Sequence, residues 1–313
     1  MLCCAVCFAV VIVAVLYRAV DSLNVVAAAT GFVLVIHFSL PFVWLFRDNS
    51  LTTILLSEQV FIIHKEVFMS LFVLSDLHLS TNESTNKSME VFGNRWQDYM
   101  QKIKKNWDSV VTDTDTVIIP GDISWGMNLN EALGDLKYID SLNGKKLLGK
   151  GNHDFWWTTN KKMKEFFEIH NLNSLSILHN NAYIIEDRII CGTRGWFPDE
   201  SKQTPANNTD YDKILNRESI RLKMSLCEAK KLQDGIFEER GVKLPILVFL
   251  HFPPIWGEYV MQPLVNILKE FEISHCYYGH IHNSYSIPAT FEYENIKFTL
   301  TSCDFLSFYP LKI

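Results

Sequence analysis

The chain has 313 residues, 48% of them hydrophobic, and a formal net charge of −6 at neutral pH. That length suits one large domain or two small ones with a sizeable core, and an acidic balance without a long basic run argues against nucleic acid as a partner. A small phosphorylated substrate is not excluded, because a metal ion can supply the positive charge.

Residues 1–46 carry two formally charged side chains, Arg18 and Asp21, which divide them into apolar runs 1–17 and 22–46. A membrane-spanning helix needs roughly 20 apolar residues. The second run is long enough and the first is marginal. Three expectations stand side by side: a two-helix membrane hairpin, a dispensable extension, and a signal sequence. The last lacks an initial positive charge and a clear small-x-small cleavage site. Met69 directly precedes "SLFVLSDLHLS", so the division expected is an apolar segment over 1–68 and a compact domain over 69–313, able to fold without that segment. If the helices span, Arg47 and Lys65 give a weak positive-inside bias that puts the compact domain in the cytoplasm, with the membrane as a partner through residues 1–46.

From Leu71 onward, apolar runs alternate with amphipathic segments. Strands are expected at 71–75, 116–120 and 145–150. Helices are expected at 91–107, 128–142 and 158–170, the last capped by Thr158 or Thr159. This β-α-β-α-β-α order marks a layered α/β fold. After His170 the segments "AYIIE", "RIICGT", "ILVFLH", "HCYYGH" and "IKFTLTS" read as strands, interrupted by one helix near 212–234. The polar stretch 200–210 reads as a surface loop. The cysteines form no paired C-x-x-C motif, so a zinc ribbon is disfavoured, and the scattered Cys191, Cys227, Cys276 and Cys303 read as core thiols of a reducing compartment.

Polar residues collect where the strands end. The run 71–75 leads to Asp76 and His78, 116–120 to Gly121-Asp122, and 145–150 to Gly151-Asn152-His153-Asp154. "ILVFL" leads to His251, and "CYY" to Gly279-His280-Ile281-His282. In open α/β sheets the carboxyl ends of strands are where sites form. Carboxylates can bridge two cations, an imidazole binds through one nitrogen, and an asparagine amide offers a neutral oxygen. These residues suit two divalent ions roughly 3.5–4 Å apart. A lone Asp-x-His or Gly-His-x-His means little. Gly-Asn-His-Asp alone arises by chance on the order of once in a thousand chains of this length. Five such pieces in order, each after a strand, leave little room for coincidence. His37, His64, His170, His179 and His275 lack this context and read as structural or surface residues. Trp125, Phe155, Trp156, Trp157 and Trp196 flank the motifs; core packing is favoured for most of them over an apolar substrate wall.

The series D-x-H, G-D, G-N-H-D, H and G-H-x-H resembles the calcineurin-like metallophosphoesterase superfamily over about residues 70–310. The context from Gly121 to Trp157, with "GTRGW" after it, is similar to a bacterial-type group of predicted phosphohydrolases. The resemblance implies a four-layer α-β-β-α sandwich. It implies one metal held by Asp76, His78, Asp122 and His282, and a second by Asp122, Asn152, His251 and His280. His153 would be the general acid, oriented by Asp154. The implied cofactors are two divalent ions, manganese, iron or zinc, and the implied chemistry is phosphoester hydrolysis by a metal-bridging hydroxide. Arg194 is a candidate phosphate clamp, a structural arginine being the equal alternative. One departure disfavours a phosphoprotein substrate and a second disfavours an Fe(III)–tyrosinate site. "GDISWG" lacks the Asp-Arg-Gly of protein Ser/Thr phosphatases, and Trp125 stands where purple acid phosphatases place a tyrosine ligand. Two other expectations are kept: a membrane-tethered enzyme acting on a lipid or envelope precursor, and a non-catalytic scaffold, which the full ligand set disfavours.

Overall fold

The computed structural model describes residues 69–82, 87–197 and 211–313, and the backbone of five short strands between residues 23 and 64. The chain divides into two compact units, Met1–Phe68 and Met69–Ile313. In the first, β1 (Leu23–Ala27) pairs antiparallel with β2 (Leu34–Phe38). β3 (Leu45–Arg47), β4 (Leu51–Leu56) and β5 (Gln59–His64) form a second antiparallel sheet. The apolar run 22–46, long enough for a spanning helix, thus holds strands where it is described. A continuous apolar run does not by itself separate helix from strand, and the β-branched and aromatic residues of "NVVA" and "LVIHF" favour strand. The run 1–17 lies outside the described residues. Among the described residues no helix is long and apolar enough to cross a membrane.

The second unit is built on two sheets. The first comprises β6 (Leu71–Val73), β7 (Thr116–Ile119), β8 (Lys145–Leu148), β9 (Leu175–Ile177) and β18 (Leu311–Lys312), in the order β18-β6-β7-β8-β9. Its first four strands in chain order are parallel, and β18 closes the edge antiparallel to β6. The other comprises β10 (Asn181–Ile185), β11 (Arg188–Thr193), β12 (Ile246–Leu250), β15 (His275–Tyr278), β16 (Thr290–Tyr293) and β17 (Ile296–Leu300). Its order is β10-β11-β12-β15-β17-β16. The middle four are parallel, and the edges β10 and β16 are antiparallel to their neighbours. Between β12 and β15, the two-residue strands β13 (Ile255–Trp256) and β14 (Tyr259–Val260) form a small hairpin of their own.

The alternation of side chains along these strands assembles the layers. Leu71, Val73, Ile118 and Leu147 of the first sheet meet Ile190, Leu247, Phe249 and Tyr277 of the second in one buried cluster. The intervening residues, Phe72, Val117, Ile119 and Leu148, face outward. They pack with Tyr99, Ile103 and Trp107 of α1 (Tyr99–Val110), Leu136 and Ile139 of α2 (Leu129–Asp140), and Met163 and Phe167 of α3 (Asn160–Ile169). On the far side, Cys191, Val248, Leu250, Cys276 and Phe298 pack with Leu222, Leu226 and Ala229 of α4 (Tyr211–Arg240) and Leu264, Val265 and Leu268 of α5 (Gln262–Glu270). Each such fully buried side chain contributes on the order of 1.5–3 kcal/mol. β-strands buried on both faces explain why these segments read as continuous apolar runs.

Three helices differ from expectation. The helix expected over 91–107 begins only at Tyr99. Two short 3-10 turns, Met89–Phe92 and Asn94–Trp96, precede it, because Gly93 (φ 115°) and Asp98 (φ 51°) hold backbone that a right-handed helix cannot continue through. The helix expected near 212–234 runs to Arg240. Helix α5 was not expected at all: Pro263 in its first turn starts it, and four buried aliphatics hold it. Cys191, Cys276 and Cys303 are buried thiols as expected, but Cys227 is exposed; the stretch 200–210 and Cys3, Cys4 and Cys7 lie outside the described residues.

Candidate metal centre

The two sheets join at the site. Just past β6, Ser75 forms a parallel bridge with Ser302, just past β17. Ser75 donates its N–H to the Thr301 carbonyl at 2.9 Å, and Cys303 donates to the Ser75 carbonyl at 2.9 Å. Within the second sheet, Gly279 donates to the His251 carbonyl at 3.0 Å. The carboxyl ends of β6, β7, β8, β12 and β15 therefore converge, and the residues after them face one another.

Four of the converging residues hold left-handed backbone: Asp76 (φ 59°), His78 (φ 45°), Asp122 (φ 51°) and His280 (φ 71°). Such a conformation costs of order 1 kcal/mol or more for a residue with a side chain. Hydrogen bonds between the loops hold it. Asp76 donates to the Gly121 carbonyl at 3.0 Å, His78 to that of Asp122 at 2.9 Å, and the His280 N–H to the Asp76 carboxylate at 2.9 Å. Two glycines leave room for the carboxylates: a methyl at Gly151 would collide with Asp122, and one at Gly279 with Asp76.

The side chains form two groups, Asp76-His78-His282 and Asp122-His251-His280, in each of which the candidate ligand atoms lie within 4.8 Å of one another. Asp122 Oδ2 is central. It lies 3.7 Å from His78 Nε2, 3.5 Å from His251 Nε2 and 4.0 Å from His153 Nε2. Asp76 Oδ1 lies 3.9 Å from His282 Nε2 and 3.8 Å from His251 Nδ1. Asn152 Oδ1 is 2.7 Å from His251 Nε2. All seven metal-ligand candidates from the sequence are thus brought to one place.

The electrostatics of this cluster call for cations. Asp76 and Asp122 are fully buried, and no lysine or arginine among the described residues forms an ion pair with either. Burial pushes both carboxyls up, and for Asp122 the neighbouring Asp76 and Asp154 push further. Burial pushes His78 and His251 well below the ordinary imidazole range, and His280 down to about 3, with neighbouring imidazoles adding to it. His251 Nδ1 has no hydrogen-bond partner, and the Nε2 atoms of His78 and His282 stand 3.1 Å apart. Neutral imidazoles with lone pairs are the form that binds metal, and a divalent cation would reverse the carboxylates' upward shift. The donor set therefore fits a metal pair.

His153 stands at the mouth of the cluster. Its N–H donates to Asp122 Oδ1 at 2.8 Å, and its ring lies 4.4 Å from that of Trp125. Burial, then His282 and Lys87, pushes it down to about 4. Trp125 also stacks on His78 at 5.0 Å, so this tryptophan packs against the site rather than under it. Trp156 is buried, and Phe155 is 52% exposed beside His153.

Two expectations are corrected. Asp154 does not orient the His153 ring. Its carboxylate accepts from the backbone N–H groups of Gly151 (2.7 Å), Asp122 (2.9 Å), Ile123 (2.8 Å) and Ser124 (3.2 Å), and from Trp156 Nε1 (3.0 Å). Five donors fill a carboxylate's acceptor capacity, and Asp154 is a clamp between the loops after β7 and β8. Arg194 is not poised as a phosphate clamp. One of its terminal nitrogens pairs with Glu218 of α4 at 3.1 Å, and its guanidinium lies 4.7 Å from the Trp196 ring. Glu218 is fully buried and is shared with Arg221 at 2.6 Å, so Arg194 neutralises a buried carboxylate and pins α4 to the end of β11.

One buried carboxylate at the site was missed. Asp304 Oδ1 lies 2.7 Å from His282 Nδ1. Together with Asp76 it holds His282 above the ordinary imidazole value against the opposing effect of burial. The available signal was position: Asp304 follows β17 as the other site residues follow their strands.

The model of the calcineurin-like phosphoesterase family matches residues 69–284. An uncharacterized protein of Methanocaldococcus jannaschii is 27% identical over 119 residues, which cover 37% of this chain and 66% of that protein. Among solved structures, a protein of unknown function from Aquifex aeolicus is similar at 16% identity, with 78% of this chain and 95% of that one covered and a TM-score of 0.40. A Thermus thermophilus protein is similar at 9% identity, with 76% and 90% covered and a TM-score of 0.46. With the family model spanning more than half of its residues, this chain belongs to the calcineurin-like phosphoesterase family.

Proposed function

We propose that the chain is a phosphoester hydrolase working with two divalent metal ions on a small phosphorylated substrate. The observation that carries this reading is the placement of Asp122 Oδ2 between the two ligand groups. Asp76, His78 and His282 would hold one ion, Asn152, His251 and His280 the other, and Asp122 both. Bound there, the ions supply Lewis acidity toward the phosphoryl oxygens and lower the pKa of water. Manganese, iron and zinc all suit this mixture of carboxylate, imidazole and amide.

The chain's own residues do the rest. The inter-loop hydrogen bonds fix Asp76 and Asp122 before substrate arrives, so little reorganisation is needed. His153 reaches over the site and hands a proton to the leaving oxygen. Burial pushes its imidazole down to about 4. The negative charge of a phosphate bound beside it favours the imidazolium and raises that value. Trp125 packs against the ring, and Phe155 stands edge-on beside it.

The test is metal analysis of chelator-free protein together with a hydrolysis panel of phosphomonoesters, phosphodiesters and nucleotides under manganese, iron and zinc. Two ions per chain and turnover of at least one substrate class are expected, and Asp122→Asn should lose both. A wild-type chain that binds no transition metal at micromolar free ion overturns the proposal.

A further inference from the structure

We infer that Asp304 is the positioning residue for His282: it holds the ring in the tautomer that leaves Nε2 free to ligate a metal. The inference rests on the metal-pair reading for its consequence, but its core, the tautomer, does not.

An ionised carboxylate only accepts hydrogen bonds, so the 2.7 Å contact with Asp304 Oδ1 puts the proton of a neutral His282 on Nδ1. The lone pair is then on Nε2, the atom facing Asp76 Oδ1 at 3.9 Å and His78 Nε2 at 3.1 Å. Without that acceptor, either ring nitrogen can carry the proton. Asp304 is itself immobilised. It is fully buried, and its second oxygen accepts from the Asn283 N–H at 3.1 Å and the Tyr285 hydroxyl at 2.9 Å. Its backbone carbonyl accepts from Arg95 Nε at 2.6 Å, and the Arg95 guanidinium lies 4.0 Å from the centre of the Tyr285 ring. The residues before α1 thereby brace the carboxylate that braces the ligand.

The contrast within the site sharpens the role. His251 has no partner on Nδ1, and His280 is surrounded by the rings of Phe197 and Phe252. Packing sets the His280 ring, and the Asn152 amide oxygen, 2.7 Å from Nε2, sets that of His251. For His282, a carboxylate does. Partners of this kind typically change metal affinity by roughly 10–100-fold when removed.

The experiment uses the full chain with Asp304→Asn and, as a milder variant, Tyr285→Phe. Imidazole nitrogen chemical shifts of the metal-free protein report the His282 tautomer. Manganese(II) affinity is measured by competition with a chelator. In the wild type His282 should be protonated at Nδ1. In Asp304→Asn it should become a mixture of tautomers, and one of the two manganese sites should weaken by roughly 10–100-fold while the other stays within about threefold. Tyr285→Phe should show the same site-selective loss at a few-fold level, which keeps the test valid if Asp304→Asn fails to fold. An unchanged tautomer in both variants overturns the inference. So does an equal loss at both sites with a lowered melting temperature, the mark of a general structural role. A changed tautomer in a chain that binds no manganese would sustain Asp304's role and sink the metal reading instead.

Discussion

The five-stranded sheet sends Asp76, His78, Asp122, Asn152 and His153 into the site, whereas the six-stranded sheet sends His251, His280 and His282. The first set contains both carboxylate ligand candidates, Asp76 and Asp122, and main-chain N–H groups hold it, joined at Asp76 by the hydroxyls of Ser75 and Ser302. Asp154 gathers four backbone donors, and His280 and His153 give their N–H groups to Asp76 and Asp122. The second set is all imidazole and is held by side chains: aromatic rings around His280, the Asn152 amide at His251 and Asp304 at His282. The difference teaches where each half is vulnerable. Loop geometry decides the carboxylate half, so a change there moves several groups together. Individual side chains decide the imidazole half, so a change there moves one.

The sharpest probe of this contrast is His153, which belongs to the first half but works at its surface. His153→Ala should lower kcat by roughly 10²–10⁴ on substrates with poor leaving groups and leave metal content intact. The loss should shrink with p-nitrophenol, which needs little protonation. The pH profile of kcat carries a sign as well. The acid form is lost as pH rises, so wild-type kcat should fall through the enzyme–substrate pKa of His153, above its free value of about 4, and the variant should lack that limb. Equal losses with good and poor leaving groups would remove the acid role.

Asp154→Asn comes next. Replacing a buried carboxylate that serves five donors should cost about 2–4 kcal/mol of stability, read by denaturant unfolding, because hydrogen bonds to charged groups are the strong ones. Both metal sites should weaken together, since the clamp holds the loops of Asp122 and Asn152. A leaving-group dependence copying that of His153→Ala would return Asp154 to the role of orienting the ring and break the contrast.

The smallest effect belongs to Arg194→Ala. Arg221 still pairs with Glu218, so the stability loss should be about 1–3 kcal/mol, the cost of leaving a buried group underpaired. KM for a phosphomonoester should stay within about threefold. A rise of tenfold or more would make Arg194 a substrate contact.

Much of this was legible before any fold was known, for a physical reason. Ligand types are chemical facts of single residues. Strands buried on both faces read as apolar runs, and a turn after such a run is where polar atoms collect. Asp76, His78, Asp122, Asn152, His251, His280 and His282 could therefore be named from order and spacing, as could the β-α alternation that carries them. Orientation could not. Asp154 sits beside His153 in sequence, yet its carboxylate turns back to four backbone donors, three of them presented by the left-handed turn at Asp122 and one by Gly151 of its own loop. Arg194 lies in a glycine-rich, site-like context, yet a buried glutamate twenty-four residues later on α4 claims it. Asp304 and His282 are paired because β17 lies beside β15 and parallel to it, so the residues that follow the two strands meet. The residues and their chemistry were local and therefore readable in the sequence. Which atoms face which was decided by contacts between segments far apart in the chain, and these exist only once neighbouring strands have paired and the helices have packed on them.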